Sequence, residues 1–347
     1  MRTVSRAATV VATVLSAQML AQQPASVPGA PPRWTLVTTG VTARLRGISA
    51  PSSRVIWASG TGGTVIRSAD GGTTWSRLEI PDSSALDFRD IDSVDDRTAY
   101  VLSIGDGDAS RIYKTSDAGR TWTLQFRNDN PRAFYDAMAF RDARTGFAFS
   151  DSVDGRMIVL ATTDGGAHWS PISSGLLPAL EGEGAFAASG TNIALGRRQI
   201  WIGTSKSRVV RSTDNGRTWS VANTPLPTST SAGIFSIAFA DDERGIVVGG
   251  DYKVESGAVN NAAITVDGGQ TWTLVTGLRG FRSAVAFIPS RPGTAIAVGP
   301  SGADYSTDGG RSWTPMDGPG FHTLAVARGT RTVWAAGEKG TVARIEF

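Results

Sequence analysis

The chain has 347 residues, with 41 glycines, ten tryptophans and no cysteine, and 34 Lys+Arg against 31 Asp+Glu leave a formal net charge of +3. Without cysteine there is no disulfide framework, no thiol nucleophile and no Cys-ligated metal. Near-balanced charge with no basic run of five or more gives no electrostatic footprint for a nucleic-acid partner.

From the N-terminus, Arg2 and Arg6 precede an apolar stretch, Ala7–Ala17, that is too short to span a bilayer and ends near small residues at Ala17 and Ala21. Residues 1–21 therefore read as an export signal, which predicts a periplasmic or secreted protein with no membrane span after signal removal. Residues 22–32 form a Pro/Ala/Gln-rich linker with no core-forming pattern.

The rest, 33–347, is repetitive. Trp34-Thr35-Leu36-Val37 looks like a strand that follows a turn, with nothing before it to pair with. Six near-identical segments follow: Ser68–Trp75, Thr115–Trp122, Thr162–Trp169, Ser212–Trp219, Thr265–Trp272 and Ser306–Trp313. The pattern is S/T-x-D-x-G-x-x-W. Its aspartates are Asp70, Asp117, Asp164, Asp214, Asp267 and Asp308, and its tryptophans are Trp75, Trp122, Trp169, Trp219, Trp272 and Trp313. Physically it reads as a tight turn. The carboxylate accepts backbone N–H bonds ahead of it, a glycine supplies positive φ, and the tryptophan opens the next strand and buries its ring between sheets. Successive repeat tryptophans lie 41 to 53 residues apart, and one four-stranded propeller blade needs about 40–50 residues. After the sixth repeat come three strands, Phe321–Ala327, Val333–Ala336 and Val342–Phe347, and no fourth. The orphan at Trp34 fills that place. The expectation is an all-β, seven-bladed propeller of four-stranded antiparallel blades, closed by its N-terminal strand, which hides two sheet edges. Trp57, Trp201 and Trp334 fall in second strands as core.

The repeat turns define one rim, so ligand contacts are expected on the other, where loops on a rigid scaffold gather. Two loops there are long, Ser170–Gly184 and Gly250–Asn261, and insertions in one loop of a repeat tend to mark the binding face. Polar residues at the starts of first strands should ring the channel mouth: Arg44, Arg46, Arg89, Asp90, Tyr135, Asp136, Glu181, Glu183, Arg282 and His322. Asp251, Tyr252, Asn260, Asn261, Asp304 and Tyr305 join from other loops. Such a set suits a polar or anionic ligand, with arginine offering bidentate contacts. A solvated mouth with no ligand stands beside that reading.

A glycosidase needs two carboxylates about the scissile bond, one of them with a raised pKa. Glu181 and Glu183, on one face of an extended segment, together with Asp251, are the candidates. With two histidines in the chain, one of them inside a repeat turn, a His-based zinc site is not expected. Asp106 and Asp108, or Asp151 and Asp154, have the oxygen chemistry for Ca²⁺ but also read as ordinary turn residues. No cofactor is expected.

The repeat resembles the Asp-box, or BNR, repeat of sialidases and related propellers, in which it marks the fold on the rim opposite the active site. A sialidase would draw on Arg46, Arg89, Arg282, Tyr135 or Tyr252, and Glu183. Its Phe-Arg-Ile-Pro opening segment is absent, and Phe88-Arg89-Asp90-Ile91 is a poor substitute. The stretch Leu45–Trp75, repeated in register through the blades, resembles the photosystem II stability/assembly factor and its bacterial relatives. That resemblance implies a seven-bladed scaffold for assembling membrane proteins with an arginine patch as contact, here Arg44, Arg46, Arg89 and Arg282. The acidic Glu181–Glu183 segment and the Gly250–Asn261 loop depart from it and point to a different client. The expectation is a monomeric binding or assembly scaffold for envelope proteins or polar ligands. The alternative is a carbohydrate-active enzyme or glycan-binding lectin in the same mouth.

Overall fold

A computed structural model describes residues 32–172, 176 and 178–347. The export signal, nearly all of the linker, and positions 173–175 and 177 of the Ser170–Gly184 connection lie outside the described residues. The rest builds seven four-stranded antiparallel sheets. Blade 1 runs Leu45–Ser49, Ile56–Gly60, Thr64–Ser68 and Ser76–Leu78. Blades 2 to 6 repeat the plan from the inner strands Asp87–Ser93, Tyr135–Phe140, Ile193–Leu195, Ala232–Phe239 and Ala284–Phe287. Blade 7 takes Thr323–Val326, Thr332–Ala336 and Val342–Glu346 from the C-terminus and Thr35–Val37 from the N-terminus. Thr35, Leu36 and Val37 pair with Arg344, Ala343 and Val342, and Trp34 packs on Phe321 at 4.7 Å between ring centroids. This is the expected closure. Among the described residues no helix is long and apolar enough to cross a membrane.

The six repeat turns have one hydrogen-bond plan. In the first, the Ser68 hydroxyl donates to Asp70 Oδ1 at 2.8 Å and accepts from Gly72 N–H at 2.9 Å. Asp70 then accepts from the Thr74 N–H at 2.9 Å and from its hydroxyl at 2.7 Å. The carboxylates of Asp70 and Asp117 are held down to about 2, first by the backbone N–H and then by the hydroxyl of the threonine four residues on. Two successive residues of each turn carry positive φ, and at Gly72 (φ +84°) a Cβ would stand 2.3 Å from the Trp334 ring. Glycine is therefore required there both for conformation and for close approach. Trp57, Trp201 and Trp334 are buried in the second strands. Trp57 and Trp334 meet the repeat residues Trp122 and Trp75 edge-on across the blade gaps. Each repeat thus ties its turn to interblade packing and needs no ligand.

Candidate functional site

The inner strands start at the rim opposite the repeat turns. At the start of blade 1's inner strand stand Arg44 and Arg46, and at the start of blade 2's stand Asp87 and Arg89. Arg89 Nε donates to Asp87 Oδ2 at 2.8 Å. Arg44 Nε meets Glu338 Oε1 at 2.7 Å, and the same oxygen faces His322 Nε2 at 2.8 Å. Three guanidinium groups therefore share two carboxylates. Burial first, then the charges of Arg89 and Arg44, bring Arg46 down to about 10, so it keeps its charge at neutral pH. Arg46 Nε is buried without a hydrogen-bond partner among the described residues. His322 is pushed down to about 4, chiefly by burial and then by Arg46. It is neutral at pH 7 and does not add to the positive charge.

The expected open mouth is closed. The connection from blade 3 to blade 4 does not stop at the rim: residues 184–191 cross the channel and plug it. Arg89 Nη1 donates to the Ala187 carbonyl at 3.0 Å and Arg46 Nη1 to that of Ala188 at 3.4 Å. On the far side, Ser189 donates to the Ser283 carbonyl at 2.8 Å and accepts at its own carbonyl from Thr323 at 3.0 Å. Thr191 donates to the Ser236 hydroxyl at 2.7 Å. The plug is thus bonded to blades 1, 2, 5, 6 and 7. Within it, Phe186 stacks on Phe235 at 4.0 Å, and Tyr252 stands edge-on to both rings. Tyr252 is 44% exposed, as are Val254 and Val259 to a greater degree. The sequence did not announce a plug. Its signal is the run Gly184–Gly190, small except for Phe186, in which a Cβ at Gly184 or Gly190 would collide with the Asp151 or Asp90 side chain.

The remaining sequence-predicted site residues are not brought to the mouth. Glu183, a candidate acid, is buried. Its Oε1 accepts from Arg208 Nε and from the Thr204 hydroxyl, each at 2.8 Å, and its Oε2 meets Arg208 Nη2. A carboxylate so enclosed has no oxygen turned to the channel mouth. Glu181 lies exposed in the turn before it. Asp251 Oδ1 accepts the Lys253 N–H at 2.9 Å, which caps a loop turn. Arg282 is buried, with its Nε on Asp304 at 2.7 Å. It neutralises a buried carboxylate and is not available as a partner contact. Asn261 is buried and holds the Gly250–Asn261 loop through its Nδ2 on Gly257 O. Asn260 is exposed and takes positive φ. Tyr135 packs in the core between blades 2 and 3, and Tyr305 packs against Phe347. Asp136 is buried against Asp151, and its carboxyl is raised well above the usual range by burial and then by the Asp151 charge. Of the oxygen pairs considered for Ca²⁺, Asp108 bonds Arg111 and Arg127, and Asp154 bonds Arg132 on both oxygens at 2.6 Å. No group of three or more His, Asp or Glu suited to a metal occurs among the described residues.

No family model matches this chain, and no curated protein matches it. Solved structures do. YCF48 bound to D1 peptide is 18% identical, covers 90% of this chain and 97% of its own, and superposes with a TM-score of 0.66. YCF48 from Cyanidioschyzon merolae is 16% identical, with 90% and 99% coverage and a TM-score of 0.64. The GH74 xyloglucanase from Xanthomonas campestris is 17% identical and covers 90% of this chain but 53% of its own, with a TM-score of 0.62. This chain therefore spans about half the length of that enzyme. The seven-bladed propeller architecture is shared with all three.

Proposed function

We propose that this protein is an exported binding scaffold that takes up a segment of an envelope protein on the rim opposite the repeat turns. The observation that carries the reading is the Arg44–Arg46–Arg89 cluster. Like charges are held together and partly desolvated there, with two carboxylates for three cations and one buried guanidinium nitrogen unsatisfied. Such an arrangement costs stability in the free protein, and an anionic group that docks on it offsets the cost. A carboxylate or other anion on a protein segment fits the arginines, and an apolar neighbour on the same segment fits Phe186 and Tyr252, across the plug. The solved structure of YCF48 with a D1 peptide supports a peptide as the class of ligand for this fold. The signal-like residues 1–21 support a periplasmic or secreted location.

The test is a crosslinking pull-down from the envelope fraction with wild type and with Arg44→Glu/Arg46→Glu/Arg89→Glu, each first checked for a cooperative thermal transition. The reading expects a protein partner retained by wild type and lost by the variant. Equal recovery by both proteins would refute it.

A further inference from the structure

Beneath the plug, on the side of the repeat turns, the channel holds a cavity of about 290 Å³ bounded by the inner strands of all seven blades. Its blind end is Ser189-Gly190-Thr191 of the plug, and Arg328 lies exposed at its open end. Blade register shows how unusual one wall is. The residue facing the second-strand positions Trp57, Phe147, Trp201, Ile246, Ile296 and Trp334 is Ser49, Ala139, Ala194, Ala238, Ala286 and Ala325 in six blades. In blade 2 the corresponding residue, opposite Tyr100, is Asp92. Two positions earlier the same strand carries Asp90, where blade 5 has Ser236.

These aspartates do a structural job that serine does elsewhere. Asp90 Oδ2 accepts the Met138 N–H and Asp92 Oδ2 the Phe140 N–H, each at 2.7 Å, which ties blade 2 to blade 3. In other seams Ser236 Oγ accepts the Val285 N–H and Ser49 Oγ the Ser93 N–H, each at 3.0 Å. A hydroxyl satisfies that bond without the desolvation cost of a carboxylate. Two carboxylates therefore exceed what the seam requires. Asp90 is 5% exposed. Its Oδ1 takes no hydrogen bond of normal geometry from the described residues and is turned to Gly190. A Cβ at Gly190 would stand 2.2 Å from that oxygen, so only glycine leaves the carboxylate its place. Asp92 lies two residues further along the strand, roughly 7 Å toward the open end. The walls between include Ile48, Ile91, Met138 and Ile237.

We propose that this cavity is a binding site for a small organic ammonium. Its N–H donors would meet Asp90 Oδ1 and the Asp92 carboxylate, and its alkyl body would lie on the isoleucine and methionine side chains. A cation supplies charged donors to these oxygens, and Ile48, Ile91, Met138 and Ile237 offer apolar surface to its body. The site is on the opposite side of the plug from the arginine cluster and does not depend on it. Burial raises both carboxyls, with the Arg328 charge opposing the shift at Asp92, so the affinity for an ammonium rises with pH.

The test is a titration of the whole propeller with n-butylammonium, read by calorimetry and by carboxyl ¹³C NMR, with butyrate as the control. The expected result is saturable binding at pH 8, weaker by at least about tenfold at pH 5, with the two carboxyl resonances shifting together. Asp90→Asn and Asp92→Asn keep the acceptor for blade 3 and should each weaken binding by about tenfold or more, the loss of one charged hydrogen bond. Should either variant not melt cooperatively, Ala286→Trp fills the cavity from the far wall without touching the carboxylates and should abolish binding. No saturable binding of n-butylammonium at any pH, equal binding of butyrate, or undiminished binding by Ala286→Trp would each overturn the proposal.

Discussion

The two rims of this propeller use charge in opposite ways. On the repeat-turn rim every repeat aspartate is exposed or half-buried and is satisfied by its own turn: Asp214 accepts the Thr218 N–H and hydroxyl at 2.8 and 2.7 Å. On the other rim, charges are buried or crowded and are satisfied over long sequence distances. Arg89 reaches Ala187, Arg208 reaches Glu183, and Arg282 reaches Asp304. Local satisfaction makes a fold marker that can be copied six times. Long-range satisfaction makes each blade different, and function on a repeat scaffold requires that difference.

The contrast breaks most sharply at the buried ion pairs. Arg282→Ala strands Asp304 in the protein interior and should cost about 3–5 kcal/mol in urea unfolding. An unchanged midpoint would mean that Asp304 simply takes up a proton or water at no cost. Replacing Trp334 by Ala, at the tightest approach of a repeat turn to a neighbouring blade, should cost about 3–5 kcal/mol through the lost ring and the cavity left behind. Asp136→Asn should act the other way. It removes a carboxyl raised by burial and by Asp151, and should stabilise the protein at alkaline pH by on the order of 1 kcal/mol, the worth of about one pKa unit. Asp70→Ala, at an exposed turn, should lower the melting temperature by less than any of these changes.

The pH dependence sharpens the same contrast, because the two sets of carboxyls have opposite signs. The repeat aspartates Asp70, Asp117 and Asp214 are depressed to about 2. Their stabilisation is complete above the ordinary aspartate value of about 4 and is lost as pH falls through 2. Asp90, Asp92 and Asp136 are raised. They cost nothing below about 4 and destabilise progressively as pH rises through their folded values. Urea midpoints measured across pH should therefore fall on both sides, and Asp136→Asn should flatten only the alkaline limb.

The architecture was legible in the sequence because its signals are local. A repeat with fixed spacing, a tryptophan at each strand entry and an orphan strand at Trp34 each report on neighbours a few residues away or on a simple count. The site was less legible because its decisive partners are distant. Arg46 and Arg282 occupy comparable places at the start of inner strands, yet Asp304 cancels one while the other stays crowded by Arg44 and Arg89. Nothing near Arg282 in the chain distinguishes them. Glu183 looked available until Arg208, on the third strand of blade 4, was placed on it. In the sequence the long loop stops at Gly184, and the role of residues 184–191 as a plug depends on three carbonyls and on the Ser189 and Thr191 hydroxyls meeting five other blades. Asp92 did carry a readable signal, since aligning the inner strands shows a carboxylate where the other blades have Ser or Ala.

The most direct test of the division of labour between the rims is site-specific photo-crosslinking in the envelope fraction from two exposed positions. One is Lys339, beside Glu338 on the arginine rim, and the other is Gln270, in a repeat turn. The account predicts a protein adduct from position 339 that disappears when Arg44, Arg46 and Arg89 become Glu, and none from position 270. An adduct from position 270 alone, or one from 339 that survives the arginine changes, would contradict it.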